Sequence, residues 1–132
     1  MTPTEDQEAV MLAQWLSIQK LPATHVANES GRDAYARRRA IRMKRQGVSK
    51  GFFDYIVFIP AVKSKDGEAY CLCIELKRAK KSLSRLTPEQ KEWQDKVNDL
   101  GTNNIQAYVA YGANEAIRVI SHYLKSTDNS IF

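Results

Sequence analysis

The sequence predicts a mixed α/β domain. Three observations predict it: apolar, strand-like runs over 53–59, 70–77 and 105–111; helix-like periodicity on either side of them; and capping or breaking residues at the joins. At 132 residues, with a hydrophobic fraction of 43%, the chain reads as one domain spanning 1–132 with an ordinary core.

The first helix is expected from about Thr4 to Lys20. Thr4 and Gln7 have capping-box spacing, and Leu12, Trp15 and Leu16 form an apolar stripe. Leu21-Pro22 ends it. Thr24 to Asn28 reads as a short extended piece before Glu29 and the Ser30-Gly31 break. A second helix is expected from about Asp33 to Gln46, stopped by Gly47. Phe53–Ile59 and Tyr70–Lys77 are rich in aromatic and branched residues. The Lys65-Asp66-Gly67 turn between them predicts an antiparallel pair. Thr87-Pro88-Glu89-Gln90 opens a third helix, with Thr87 as N-cap and Pro88 first inside, ending at Leu100-Gly101. Ile105–Tyr111 is another strand. Asn114 is expected to cap a last helix through about Leu124, and 125–132 is a polar tail.

Lys and Arg number 20 against 15 Asp and Glu, a net charge of +5. That excess is compatible with a polyanionic partner. No stretch approaches the roughly 20 apolar residues that span a bilayer, so no membrane partner is expected. Thr2 to Glu8 is too polar for a secretory signal. The only cysteines, Cys71 and Cys73, share one strand. Their spacing fits packed thiols of a reduced, cytoplasmic protein better than a disulfide or zinc framework.

Residues two apart on a strand share a face. Cys71, Cys73, Glu75 and Lys77 therefore point one way, placing an acid and a base together at the strand end. Asp54 begins the preceding strand, and ordinary hairpin register brings it within reach of both. Two carboxylates and a lysine suit phosphodiester hydrolysis. The carboxylates are hard ligands for Mg²⁺, which takes only one or two acids from a protein. A bound metal polarises the phosphate and lowers the pKa of water. Lys77 can stabilise transition-state charge and moderates repulsion between the acids. The plain alternative is a surface hairpin with an incidental Glu/Lys pair. Gln90 has two readings as well. It closes a capping box with Thr87, yet it shares a stripe with Trp93, Val97 and Leu100, where a polar group needs a partner such as the site.

The second helix places Ala36, Ala40 and Met43 on one stripe, with Arg38, Arg42 and Arg45 nearly opposite. After Asp33 it is almost free of acids. A solvated helix face usually mixes signs, so DNA-backbone contact is the favoured reading. The small-residue stripe is expected to pack on a sheet. Lys50, Lys80 and Lys81 lie in loops near the proposed site and would add phosphate contacts. No element clearly reads bases.

Taken in order, Asn28-Glu29, Gly51-Phe52-Phe53-Asp54, Ile74-Glu75-Leu76-Lys77 and Leu86-Thr87-Pro88-Glu89-Gln90 with Trp93, Leu100 and Gly101 resemble the VRR-NUC family. These virus-type replication-repair nucleases are a branch of the PD-(D/E)XK superfamily. The similarity runs from about His25 to Leu124, with Tyr111-Gly112 and the helix from Ala116 to Tyr123-Leu124 also fitting. The resemblance implies a restriction-endonuclease-like core, a mixed central sheet flanked by helices. It implies Asp54 and Glu75 as metal ligands with the Leu76 carbonyl as a third, Lys77 as the catalytic lysine, Glu29 as an upstream acid and Gln90 as a site glutamine. From its position alone Glu29 would be an ordinary turn acid. One departure is Phe53, where the family usually has proline. That residue shapes the backbone and holds no metal.

The function expected is metal-dependent hydrolysis of DNA with Mg²⁺ or Mn²⁺. Short members of the family resemble dimeric Holliday junction resolvases, so branched DNA and a homodimer are expected, and a bacterial or phage source is suggested by the family alone. A flap- or duplex-directed nuclease and a catalytically silent DNA-binding module are the alternatives. Trp15 and the Phe52-Phe53 pair are candidates for either a dimer surface or core.

Overall fold

A computed structural model describes residues 2–26 and 34–127. Helix α1 spans Glu5–Gln19 and is followed by strand β1, Ala23–His25. Helix α2 covers Ala34–Arg45. Strands β2, Tyr55–Ile59, and β3, Tyr70–Lys77, precede helix α3, Pro88–Asn98. Strand β4, Ile105–Tyr111, and helix α4, Ala113–Ser121, complete the order.

The strands form one sheet in the order β1-β2-β3-β4. The first two pairings are antiparallel and β3 runs parallel to β4. Parallel neighbours need a crossover, and α3 supplies it. The result is the mixed sheet with flanking helices that the family resemblance implies.

Alternation along the strands gives the sheet two different faces. On one, Val57, Ile59, Leu72, Ile74 and Leu76 meet Leu12, Trp15 and Leu16 of α1 and Ala116 and Ile120 of α4. Burying each large apolar side chain is worth about 1.5–3 kcal/mol, so this face is where most of the fold's stability arises. On the other face Phe53, Cys73 and Ala107 pack under Val97 of α3, joined by half-buried Phe52 and Trp93. Trp15 and Phe53 are each 1% exposed. Both are core, which removes them as a dimer surface. Cys71 and Cys73 are free thiols on the α3 side, as expected.

Three expectations need correction. Helix α3 stops at Asn98, short of Leu100-Gly101. The Asn98 side chain turns to β4, accepting from the Ala107 N–H at 2.9 Å and donating to the Ala107 carbonyl at 3.3 Å. Leu100 is left 59% exposed, outside the inward stripe. Helix α4 is not capped by Asn114, which lies inside it and is exposed. Its N-cap position is Gly112, which has no side chain to offer. Helix α2 does not pack along the sheet. Among the described residues it makes no extended contact with any other element, and Ala40 is exposed while Met43 is half-buried. Alanine methyls offer too little apolar area to hold a helix so rich in arginine against a sheet. The expected starts and ends at Asn28 and Asp33, and the tail beyond Thr127, fall outside the described residues.

Candidate active site

The β2–β3 register places Tyr55 opposite Ile74, which sets Asp54 across from Glu75. Two backbone bonds hold Asp54 there: its N–H donates to the Ile74 carbonyl at 3.1 Å, and its carbonyl accepts from Val26 at 2.6 Å. The Asp54 carboxylate accepts from the Leu76 N–H at 2.8 Å. The aspartate side chain is thus fixed by the strand that carries the other two groups.

Glu75 and Lys77 continue the face of Cys73 to the end of β3. Both are buried, at 3% and 7% exposure. The Lys77 ammonium lies 3.6 Å from Glu75 Oε1. The same oxygen accepts from Gln90 Nε2 at 2.5 Å, and Glu75 Oε2, also buried, has no hydrogen-bond partner among the described residues. Burial drives the Glu75 carboxyl up to about 8, and the neighbouring Asp54 charge pushes the same way. Lys77 pulls in the opposite direction and does not cancel them.

Gln90 closes the capping box with Thr87 and also reaches Glu75. Its Oε1 accepts from the Thr87 N–H at 2.8 Å and its own N–H donates to Thr87 Oγ1 at 3.2 Å, the full capping box. Its Nε2 is left to reach Glu75. Gly51 sets how closely α3 approaches. A Cβ there would stand 2.6 Å from Glu89 Cβ and 2.9 Å from the Gln90 nitrogen, and the residue has φ +81°. Only glycine fits that approach.

The remaining predicted residues divide. Lys50, Lys80 and Lys81 are exposed on the loops before β2 and after β3. Arg38, Arg42 and Arg45 are exposed along α2. Glu29 lies outside the described residues. Asp54 and Glu75 are the acids that come together. Among the described residues, no set of three or more His, Cys, Asp or Glu side chains gathers as a metal site. A two-carboxylate donor set suits Mg²⁺, which completes its shell with water.

A family model for the VRR-NUC domain matches residues 4–114. The chain belongs to the VRR-NUC family. It is also similar to a solved structure described as a VRR_NUC domain protein, at 28% identity and a TM-score of 0.67, covering 97% of this chain and 93% of that one. No curated protein matches it. The VRR-NUC assignment identifies the chain as a nuclease of the virus-type replication-repair family, on a PD-(D/E)XK-like fold. Among the described residues, no helix is long and apolar enough to cross a membrane.

One VRR-NUC residue with a structural part to play escaped the sequence reading. Glu8 of α1 is 3% exposed, and its Oε1 accepts from the Ala113 N–H at 3.3 Å. It supplies from a distance the cap that Gly112 lacks, at the helix end where a negative charge is favoured. The Gly112 N–H in turn donates to the Lys77 carbonyl at 2.8 Å. A Cβ at Gly112, where φ is +96°, would stand 2.9 Å from Glu8 Oε2. The signal was present: Glu8 lies on the stripe of Leu12, Trp15 and Leu16, where a polar residue needs a buried partner.

Proposed function

We propose that this protein is a divalent-metal-dependent endonuclease of branched DNA, with Asp54, Glu75, Lys77 and Gln90 as its working site. The observation that carries the reading is the Glu75 carboxylate. It is buried, it faces Asp54, one of its oxygens has no partner among the described residues, and Lys77 lies beside it. Two acids brought together at such cost fit a cation. Asp54 and Glu75 would hold Mg²⁺ or Mn²⁺, with the Leu76 carbonyl beside them. When bound, the ion supplies Lewis-acid polarisation of the phosphate and lowers the pKa of water at the site.

The protein's own groups account for the rest. Lys77 presents a positive charge where the phosphate gains negative charge in the transition state. The Gln90 amide donates to Glu75 and fixes its rotamer. The hydrogen bond from Leu76 to Asp54 does the same for the second acid. Glu29 is proposed as an upstream acid of the same site on the family resemblance. Lys50, Lys80 and Lys81 would hold the backbone of the bound strand. Symmetric cutting of a four-way junction calls for two copies of the chain, so the active form is proposed to be a homodimer.

The test is cleavage of a labelled four-way junction in Mg²⁺ or Mn²⁺, beside a flap and a linear duplex of matched sequence. Paired nicks near the branch are expected. Cutting of flap or duplex alone would keep the nuclease and discard the junction preference. Binding without cutting any DNA would leave a binding module.

Helix α2 is proposed as the arm that lies along the DNA backbone. Its exposed Arg38, Arg42 and Arg45 carry no sequence information but position the duplex. Each phosphate contact contributes about 0.9 to the slope of log affinity against log salt. Replacing all three with alanine should lower that slope by about 2 to 3. An unchanged slope would place the DNA elsewhere.

A further inference from the structure

We propose that Tyr111 is a stacking platform for an unpaired nucleobase beside the scissile phosphate; this rests on the nuclease reading above. The parallel β3–β4 register sets Tyr111 directly beside Lys77, and Val109 beside Glu75. Partners in register on neighbouring strands point to the same face, about 4.8 Å apart. Tyr111 therefore belongs to the wall of the site. It is half-buried, at the end of the outermost strand of the sheet.

The wall has two characters. At and just beyond the end of β3 it carries cations: Lys77 in the strand and Lys81 over the Tyr111 ring. Along β4 it carries Val109 and Tyr111, which have no charge to offer a phosphate. A nucleotide placed with its phosphate at Lys77 puts its uncharged parts, sugar or base, along β4.

The ring already attracts a group of the kind that DNA would displace. The Lys81 ammonium lies 4.9 Å from the Tyr111 ring centroid, and Lys81 is exposed. An exposed cation–π contact is weak, and a phosphate is the stronger partner for an ammonium. When DNA arrives, Lys81 can leave the ring for the backbone and uncover a face for a base. Paired bases in a continuous duplex are already stacked and have no face to give. Bases at a branch point can be unstacked, and aromatic side chains take such bases without regard to sequence. Tyr111 would thus favour branched over continuous DNA without reading any base edge.

The test compares a four-way junction with one whose branch-point nucleotides are abasic, by fluorescence anisotropy in Ca²⁺. For the wild type, removing the bases should weaken binding about tenfold, the scale of one base stacked on an aromatic ring. In Tyr111→Leu that penalty should shrink to about twofold or less, and in Tyr111→Phe it should persist. Equal binding of both junctions by the wild type would overturn the proposal. So would an undiminished penalty in Tyr111→Leu. The wild-type comparison holds even where a variant folds poorly. Cleavage in Mg²⁺, run in parallel, reports on the nuclease reading separately: absence of cutting with the Tyr111-dependent penalty intact would reject hydrolysis and keep the platform.

Discussion

Replacing Lys77 with methionine is expected to lower the rate of DNA cleavage by about a hundredfold to a thousandfold, the range for removing one preorganised group that stabilises transition-state charge. DNA binding should change by no more than a few fold, because exposed Lys50, Lys80, Lys81 and the α2 arginines supply the long-range attraction. Two effects add in the variant. The phosphate loses the ammonium at its developing charge. Glu75 also loses the ammonium that lowers its pKa, while Asp54 and burial go on raising it. A glutamate that holds its proton more tightly is a poorer metal ligand.

The fold should tolerate the change. Breaking a buried ion pair often costs about 3–5 kcal/mol because a charge is stranded. Here Glu75 can take up a proton at neutral pH, so no stranded charge is left, and methionine fills the volume of the lysine stem. Junction cleavage and thermal denaturation of the same preparation check this. Activity within threefold of wild type in a folded variant would remove Lys77 from the chemistry.

The candidate site was readable in the sequence to the extent that short-range geometry sets it. Strand alternation alone places Glu75 and Lys77 on one face. The hairpin between 59 and 70 brings Asp54 opposite, because antiparallel register leaves few choices once one face must be apolar. What the sequence left open was decided by contacts far apart in the chain. Gln90 was caught between cap and site because a sequence pattern cannot show that one amide can do both. The cap on α4 comes from Glu8, 105 residues away from Ala113, so a local search for a capping side chain settled on Asn114. The packing of α2 was misjudged for a related reason. Its stripe of Ala36, Ala40 and Met43 has the right period, but period gives direction and says nothing of how much area is available to bury. Trp15 and Phe53 could be read as surface or core until the two faces of the sheet were seen to need them.

The pH response of the metal-free protein should report Glu75 directly. Its carboxyl is raised from 4.5 to about 8 in the fold. Between those values the folded chain holds a proton that the unfolded chain has released. Stability must then fall as pH rises. The contribution is fully present below pH 4.5 and is lost as pH climbs through about 8, a span worth a few kcal/mol at about 1.4 kcal/mol per pKa unit. Other shifted groups act outside this window. Asp66, held low by hydrogen bonds from Tyr70 and Ser64, matters below its ordinary value of 3.8, and the Cys73 thiol is pushed up to about 12 by burial. The melting temperature in EDTA is therefore expected to drop from pH 5 to pH 8.5, and Glu75→Gln should flatten that decline. Adding Mg²⁺ should reverse the trend in the wild type. A metal competes with the proton on Glu75, so its apparent affinity rises with pH and the stabilisation it brings grows up to about pH 8. A Glu75→Gln variant whose melting temperature still falls as steeply as wild type would show that the raised carboxyl is not the source of the slope. A wild type insensitive to Mg²⁺ at pH 8.5 would deny the two acids their place as metal ligands.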